Sequence, residues 1–186
     1  ESDAKTAAQL AEIEAYLLQA MRATPPESDG AIMEWVGERI EPNVPNVQLA
    51  RLVMRSLLEA TCAETPISTK LYQAITERAK LLRKFLQVGK ESEQMTLMFN
   101  SLYEVQDYCV RKDWPEKLMT KLFYQLYEAD VIFEEAFTVW REDTSDQGPN
   151  KMKALVQVNE FLQWLGTTEE EGEDGGAAMA MEPPKV

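Results

Sequence analysis

Apolar residues recur at helical spacing along almost the whole chain, and this limits the fold more than any other feature of the sequence. Leu10, Ile13, Leu17 and Met21 form one stripe, stopped by the turn Thr24-Pro25-Pro26-Glu27-Ser28-Asp29-Gly30. A short helix is expected from Ala31 to Ile40, carrying Ile32, Trp35 and Val36 and broken by Pro42 and Pro45. Leu49, Leu52, Val53, Ser56, Leu57 and Ala60 form a third stripe that closes at Thr65-Pro66. Ser68 or Thr69 can cap a fourth helix, with Leu71, Ile75, Leu82, Phe85 and Leu86 inward and Gly89 as its stop. Met95, Met98, Leu102, Val105 and Cys109 make the most regular stripe, too short for a coiled coil and suited to a helix buried in a bundle. Asp113-Trp114-Pro115 punctuates it, with Asp113 as a candidate cap. Three more helices are expected, from about Glu116 to Tyr127, Val131 to Glu142 and Lys151 to Gly166, with a loop at 143–150.

Alternate helices start near Ala4, Val47, Glu91 and Val131. That period of roughly 40–47 residues is the one shown by two-helix HEAT and armadillo repeats. The spacing predicts an all-α, HEAT-like α-solenoid of about eight antiparallel helices, each pair burying a stripe that its neighbours complete. After Gly166 the composition turns acidic and poor in large apolar side chains. The expected organisation is therefore a domain at 1–166 and a flexible acidic tail at 167–186. The first residue is Glu1, not Met, which reads as a piece of a longer protein.

The composition excludes several chemistries. With no histidine there is no Ser-His-Asp triad, Cys-His pair or His-containing metal site. Two cysteines, Cys62 and Cys109, cannot build a four-cysteine zinc site, and both fall in apolar helical patterns where a thiol acts as a small hydrophobe. No catalytic residue, metal or cofactor is expected. No signal peptide or membrane-length apolar run is present, so the chain reads as a soluble, cytoplasmic monomer. Its net charge of −13 makes membranes and nucleic acids poor partners and basic proteins good ones.

That charge is uneven. Residues 1–66 carry a net −6, residues 67–126 a net +3 and residues 127–186 a net −10. Arg78, Lys80, Arg83, Lys84 and Lys90 cluster in the middle third and read mainly as a solvated helix face, with RNA binding as the alternative. In the acidic third, Tyr127 to Trp140 joins two helices: Ile132, Ala136 and Trp140 recur every four residues with Phe133 and Phe137 beside them. Glu134 and Glu135 are then expected in solvent at a helix N-terminus, where the helix dipole favours them. A second stretch, Phe161-Leu162-Gln163-Trp164-Leu165, runs directly into Glu169-Glu170-Glu171. Trp140 and Trp164 read first as core anchors. Carboxylates beside such an aromatic platform form a site for a lysine-rich segment.

Asp-Val-Ile-x-Glu-Glu-Ala-Phe at 130–137 with Trp140, and Lys-Met-Lys-Ala-Leu at 151–155 followed by Asn-Glu-Phe-Leu-Gln-Trp-Leu at 159–165, resemble paired aromatic-acidic boxes. Such boxes mark the two-tryptophan domain that closes translation initiation factor 4 gamma and its relatives, initiation factor five and the epsilon subunit of initiation factor two-B. Trp-Arg-Glu-Asp at 140–143 and Gln-Val-Asn at 157–159 look most like the truncated paralogous branch, which lacks the cap-binding-protein site. The chain departs from the boxes at Phe133, usually a polar or acidic position. The resemblance implies a HEAT-like fold and a non-enzymatic adaptor role. Its partners would be the lysine blocks of the beta subunit of initiation factor two, the MAP-kinase-interacting kinases, or both. By the same resemblance Glu128, Asp130, Glu134, Glu135, Glu169, Glu170 and Glu171 are partner-binding positions, supported by Trp140 and Trp164. The epsilon relative implies one alternative, promotion of nucleotide exchange on initiation factor two.

Overall fold

The computed structural model describes residues 2–61, 70–146 and 148–173, with only the backbone described at 169–173. Among the described residues there are ten helices and no strand. They are α1 (Ser2–Arg22), α2 (Asp29–Arg39), α3 (Asn46–Thr61), α4 (Lys70–Glu77), α5 (Ala79–Leu86), α6 (Glu91–Arg111), α7 (Leu118–Glu128), α8 (Glu134–Glu142), α9 (Pro149–Gln157) and α10 (Asn159–Glu173).

The helices form two layers. In one, α1 packs on α3, α3 on α6 and α6 on α8; in the other, α2 meets α5, α4 meets α7 and α7 meets α9 and α10. The first-layer helices begin at Ser2, Asn46, Glu91 and Glu134, close to the expected period. This is an all-α, HEAT-like arrangement, with the core trapped between the layers. α6 is its centre: Met98, Leu102, Val105 and Cys109 are fully buried. Burial pushes the Cys109 thiol up to about 12, so it stays protonated and packs as an apolar group. Cys62 lies outside the described residues. No described helix is long and apolar enough to cross a membrane.

Ten helices replace the expected eight because two breaks come from tertiary contacts. Arg78, between α4 and α5, donates to the Glu27 carbonyl and to the Asp29 carboxylate, both at 2.7 Å. The other oxygen of Asp29 accepts from the Leu81 amide at 3.3 Å, which serves an otherwise unpaired donor in the first turn of α5. Between α9 and α10, Thr120 donates to the Gln157 carbonyl at 2.6 Å, and Val158 adopts φ −97, ψ 7. Neither break has a glycine or proline at it.

Other expectations change as well. Asp113 does not cap α7; it takes a left-handed conformation (φ 57) in the turn that ends α6, and α7 starts at Leu118. α8 starts at Glu134, three residues later than the apolar spacing implied. α10 does not stop at Gly166 but continues to Glu173, so Glu169, Glu170 and Glu171 lie on helical backbone. Residues 174–186 of the expected tail lie outside the described residues.

Candidate protein-docking face

The turn between α7 and α8 is built by its backbone. Val131 N–H donates to the Leu126 carbonyl at 3.1 Å and Asp130 N–H to the Tyr127 carbonyl at 3.0 Å, which together terminate α7 in a Schellman motif. Asp130 occupies the left-handed position of that motif, with φ 53. Aspartate tolerates this conformation better than most residues, so its place here has a backbone reason besides its charge. The turn is tied to the second repeat by Arg83, which donates to the Ala129 carbonyl at 2.8 Å, and by Gln87, which donates to the Asp130 carbonyl at 2.7 Å.

Beneath the turn lies one continuous aromatic cluster. The Phe123 ring centre is 5.1 Å from that of Trp140, 5.3 Å from Phe137 and 6.0 Å from Phe161. Trp164 stands 5.5 Å from Tyr124 and 5.7 Å from Tyr127. The two sequence boxes are therefore halves of one packed unit, joined through α7. Trp140 is fully buried and Trp164 only 9% exposed, so both shape the face from below and Trp140 cannot touch a partner. Phe133, expected beside the core residues, is instead 40% exposed on the rim.

Tyr127 reports where the carboxylates converge. Burial is the largest cause of its raised pKa, followed by the negative charges of Glu134 and Glu128; contact with Thr168 pulls it back, and Asp130 adds a further upward push. Tyr124 is raised by burial and by its bond to Glu128. Glu128, Asp130 and Glu134 thus gather around one tyrosine. Thr168 leads directly into Glu169–Glu171 on the same helix. Glu128, Asp130 and Glu135 are exposed, whereas Glu134 is half-buried rather than directed into solvent as expected.

Several of the molecule's arginines are paired away from this face. Arg51 pairs with Glu104 and Asp107 at 3.0 and 3.2 Å, Arg55 with Glu14 at 3.0 Å and Arg111 with Glu59 at 2.9 Å. Among the described residues Glu128, Asp130 and Glu135 form no ion pair. The basic cluster at 78–90 is also partly spent: Arg78 is bound to Asp29 and Arg83 holds the α7–α8 turn. That internal use argues against a dedicated phosphate grip.

Residues 97–175 match the W2 family model, described as eIF4-gamma/eIF5/eIF2-epsilon. Over that stretch the chain is similar to the W2 family. It is 29% identical over 173 residues to human eukaryotic translation initiation factor 4 gamma 2, across 87% of this chain and 19% of that protein. It is 32% identical over 155 residues to human eukaryotic translation initiation factor 4 gamma 3, and 32% over 154 residues to mouse 4 gamma 1, covering 79% and 78% of this chain and 9% of each relative. The chain thus spans less than a fifth of the length of these relatives. The W2 match takes in both boxes and every acidic position singled out from the sequence.

Lys151 entered the sequence reading only as the first residue of the second box, and its burial had no signal there. Lys151, 3% exposed, places its ammonium 4.1 Å from the centre of the Trp140 ring and 4.6 Å from that of Tyr103. It donates to the Tyr103 hydroxyl at 2.8 Å and to the Trp140 carbonyl. Burial lowers its pKa, and Asp143 and Asp146 oppose that shift. Tyr103 and Ser145 both donate to Asp143, and these bonds hold its carboxyl below the usual range. The network clamps the loop after α8 onto α6 and fixes the back of this face.

Proposed function

We propose that this W2-like domain is a non-enzymatic adaptor in translation initiation that docks lysine-rich protein segments on the face made by α7, α8 and α10. The observation that carries this reading is the gathering of Glu128, Asp130 and Glu134 around Tyr127, over a rigid aromatic base, with no compensating cation on Glu128, Asp130 or Glu135 among the described residues. The Glu169–Glu171 run follows Thr168 on the backbone of α10 and adds three acidic residues to the sequence there. Each exposed ion pair is worth only about 0.2–1 kcal/mol, so affinity comes from number. The partners named by the family resemblance, the lysine blocks of the beta subunit of initiation factor two and the MAP-kinase-interacting kinases, have the required chemistry. The truncated branch of the 4-gamma group is the placement we favour, on the segments at 140–143 and 157–159 and on the longer match to 4 gamma 2. A cytoplasmic setting follows from that role.

The test is a titration with a fluorescent octalysine peptide. Replacing Glu128, Glu134 and Glu135 by Gln and Asp130 by Gly is expected to weaken binding about tenfold or more, with helicity retained by circular dichroism. Unchanged affinity would overturn the reading.

A further inference from the structure

Lys80, Arg83, Lys84 and Gln87 are spaced three, one and three along α5 and so share one face, while Ala79, Leu81, Leu82 and Leu86 are buried on the other. Two of the four tie their face to the α7–α8 turn: Arg83 donates to the Ala129 carbonyl at 2.8 Å and Gln87 to the Asp130 carbonyl at 2.7 Å. Because Lys80 and Lys84 lie on that same face, a row of cations borders the turn that carries Glu128 and Asp130. The surface changes sign across the Arg83–Ala129 bond. All five charged side chains at this border are exposed. No ion pair crosses it: among the described residues Lys80, Arg83 and Lys84 meet no carboxylate, and Glu128 and Asp130 meet no cation. Arg83 bonds a neutral carbonyl, which leaves its charge uncompensated. Lys80 stands in the first turn of α5, where the helix dipole disfavours a cation, so helix stability does not account for it.

A nucleic-acid strand laid on these cations would meet Glu128 and Asp130 beside them, and the net charge of −13 repels it as well. A polypeptide whose own charge changes sign satisfies both rows at once. We propose that this border reads a protein segment of mixed sign, a lysine block flanked by a short acidic block, with the lysines at Glu128 and Asp130 and the acids at Lys80, Arg83 and Lys84. The inference rests on the docking face above but is separable from it: the carboxylates supply the attraction for lysine, whereas the α5 row selects among lysine-rich segments by what flanks them.

The test compares two fluorescent peptides, eight lysines joined through three glycines either to four glutamates or to four serines. Overall charge alone predicts that a body of −13 binds the serine peptide tighter. The α5 row predicts the reverse, with the glutamate peptide bound about threefold tighter through two or three exposed ion pairs. In Lys80→Gln/Lys84→Gln, which keeps good helix formers on α5, the order should return to serine over glutamate while octalysine affinity does not fall. A serine preference or equal affinities in the wild type, or a glutamate preference that survives the two substitutions, would overturn the row and leave the acidic face standing. Failure of both peptides and of octalysine to bind would overturn the face and the row together. Binding of a single-stranded RNA dodecamer that the two substitutions abolish would assign the row to nucleic acid and overturn the proposal. The wild-type comparison needs no variant to fold.

Discussion

At the residue scale, Asp130 serves both backbone and charge, and the two roles can be separated. Its left-handed conformation carries a Cβ penalty that glycine escapes. Asp130→Gly should therefore be more stable than Asp130→Ala by about 1 kcal/mol in urea unfolding, while both lose the carboxylate. The reverse order would refute the Schellman turn. The tyrosines make a second residue-level prediction. Burial first, then the bond to Glu27 and its charge, push the Tyr16 hydroxyl up to about 12, with Arg39 opposing. Tyr103, Tyr124 and Tyr127 move in the same direction. A group whose folded pKa is raised contributes stability that is complete below its unfolded value, near 10, and is lost as pH rises through its folded value. The urea midpoint should thus decline between about pH 10 and 12, and Tyr16→Phe should make the decline shallower. A midpoint flat across that range would contradict these environments.

At the scale of elements, what the sequence disclosed was whatever local physics decides. The α6 stripe, the proline-rich ends of α1 and α2 and the near-regular repeat period were legible because spacing and turn residues set them. The breaks at Arg78 and Val158 were not, because Asp29 and Thr120 impose them from other helices. The continuation of α10 past Gly166 was hidden for the opposite reason: a glycine that reads as a stop is tolerated inside a helix at a cost of about 1 kcal/mol. For the site, residue types and spacing identified both boxes. The half-buried place of Glu134, the exposure of Phe133 and the burial of Lys151 depended on how α8 and α10 pack. Thr120→Val should cost about 1 kcal/mol by leaving the Gln157 carbonyl without that donor, and Thr120→Ser should restore most of it. Asp29→Ala should cost more, about 3 kcal/mol, because it leaves Arg78 with only one of its two acceptors in a largely buried place. Equal, small losses in both would mean that the breaks are not set by these contacts.

At the scale of the whole molecule, the solenoid sorts charge by position. The α1–α3–α6 side is laced by arginine–carboxylate pairs, including Glu104, which is 2% exposed and faces Arg51 at 3.0 Å. At the C-terminal end Glu128, Asp130 and Glu135 form no ion pair among the described residues, as the proposed docking role requires. Octalysine affinity should therefore fall steeply between about 0.05 and 0.5 M salt, as interactions between exposed charges do. The most direct measurement is an amide chemical-shift map of the domain titrated with octalysine. The account predicts perturbations concentrated on α7, α8 and α10, from about Tyr124 to Arg141 and from Leu162 onward. Perturbations centred on α1–α3, or spread evenly over the surface, would contradict it.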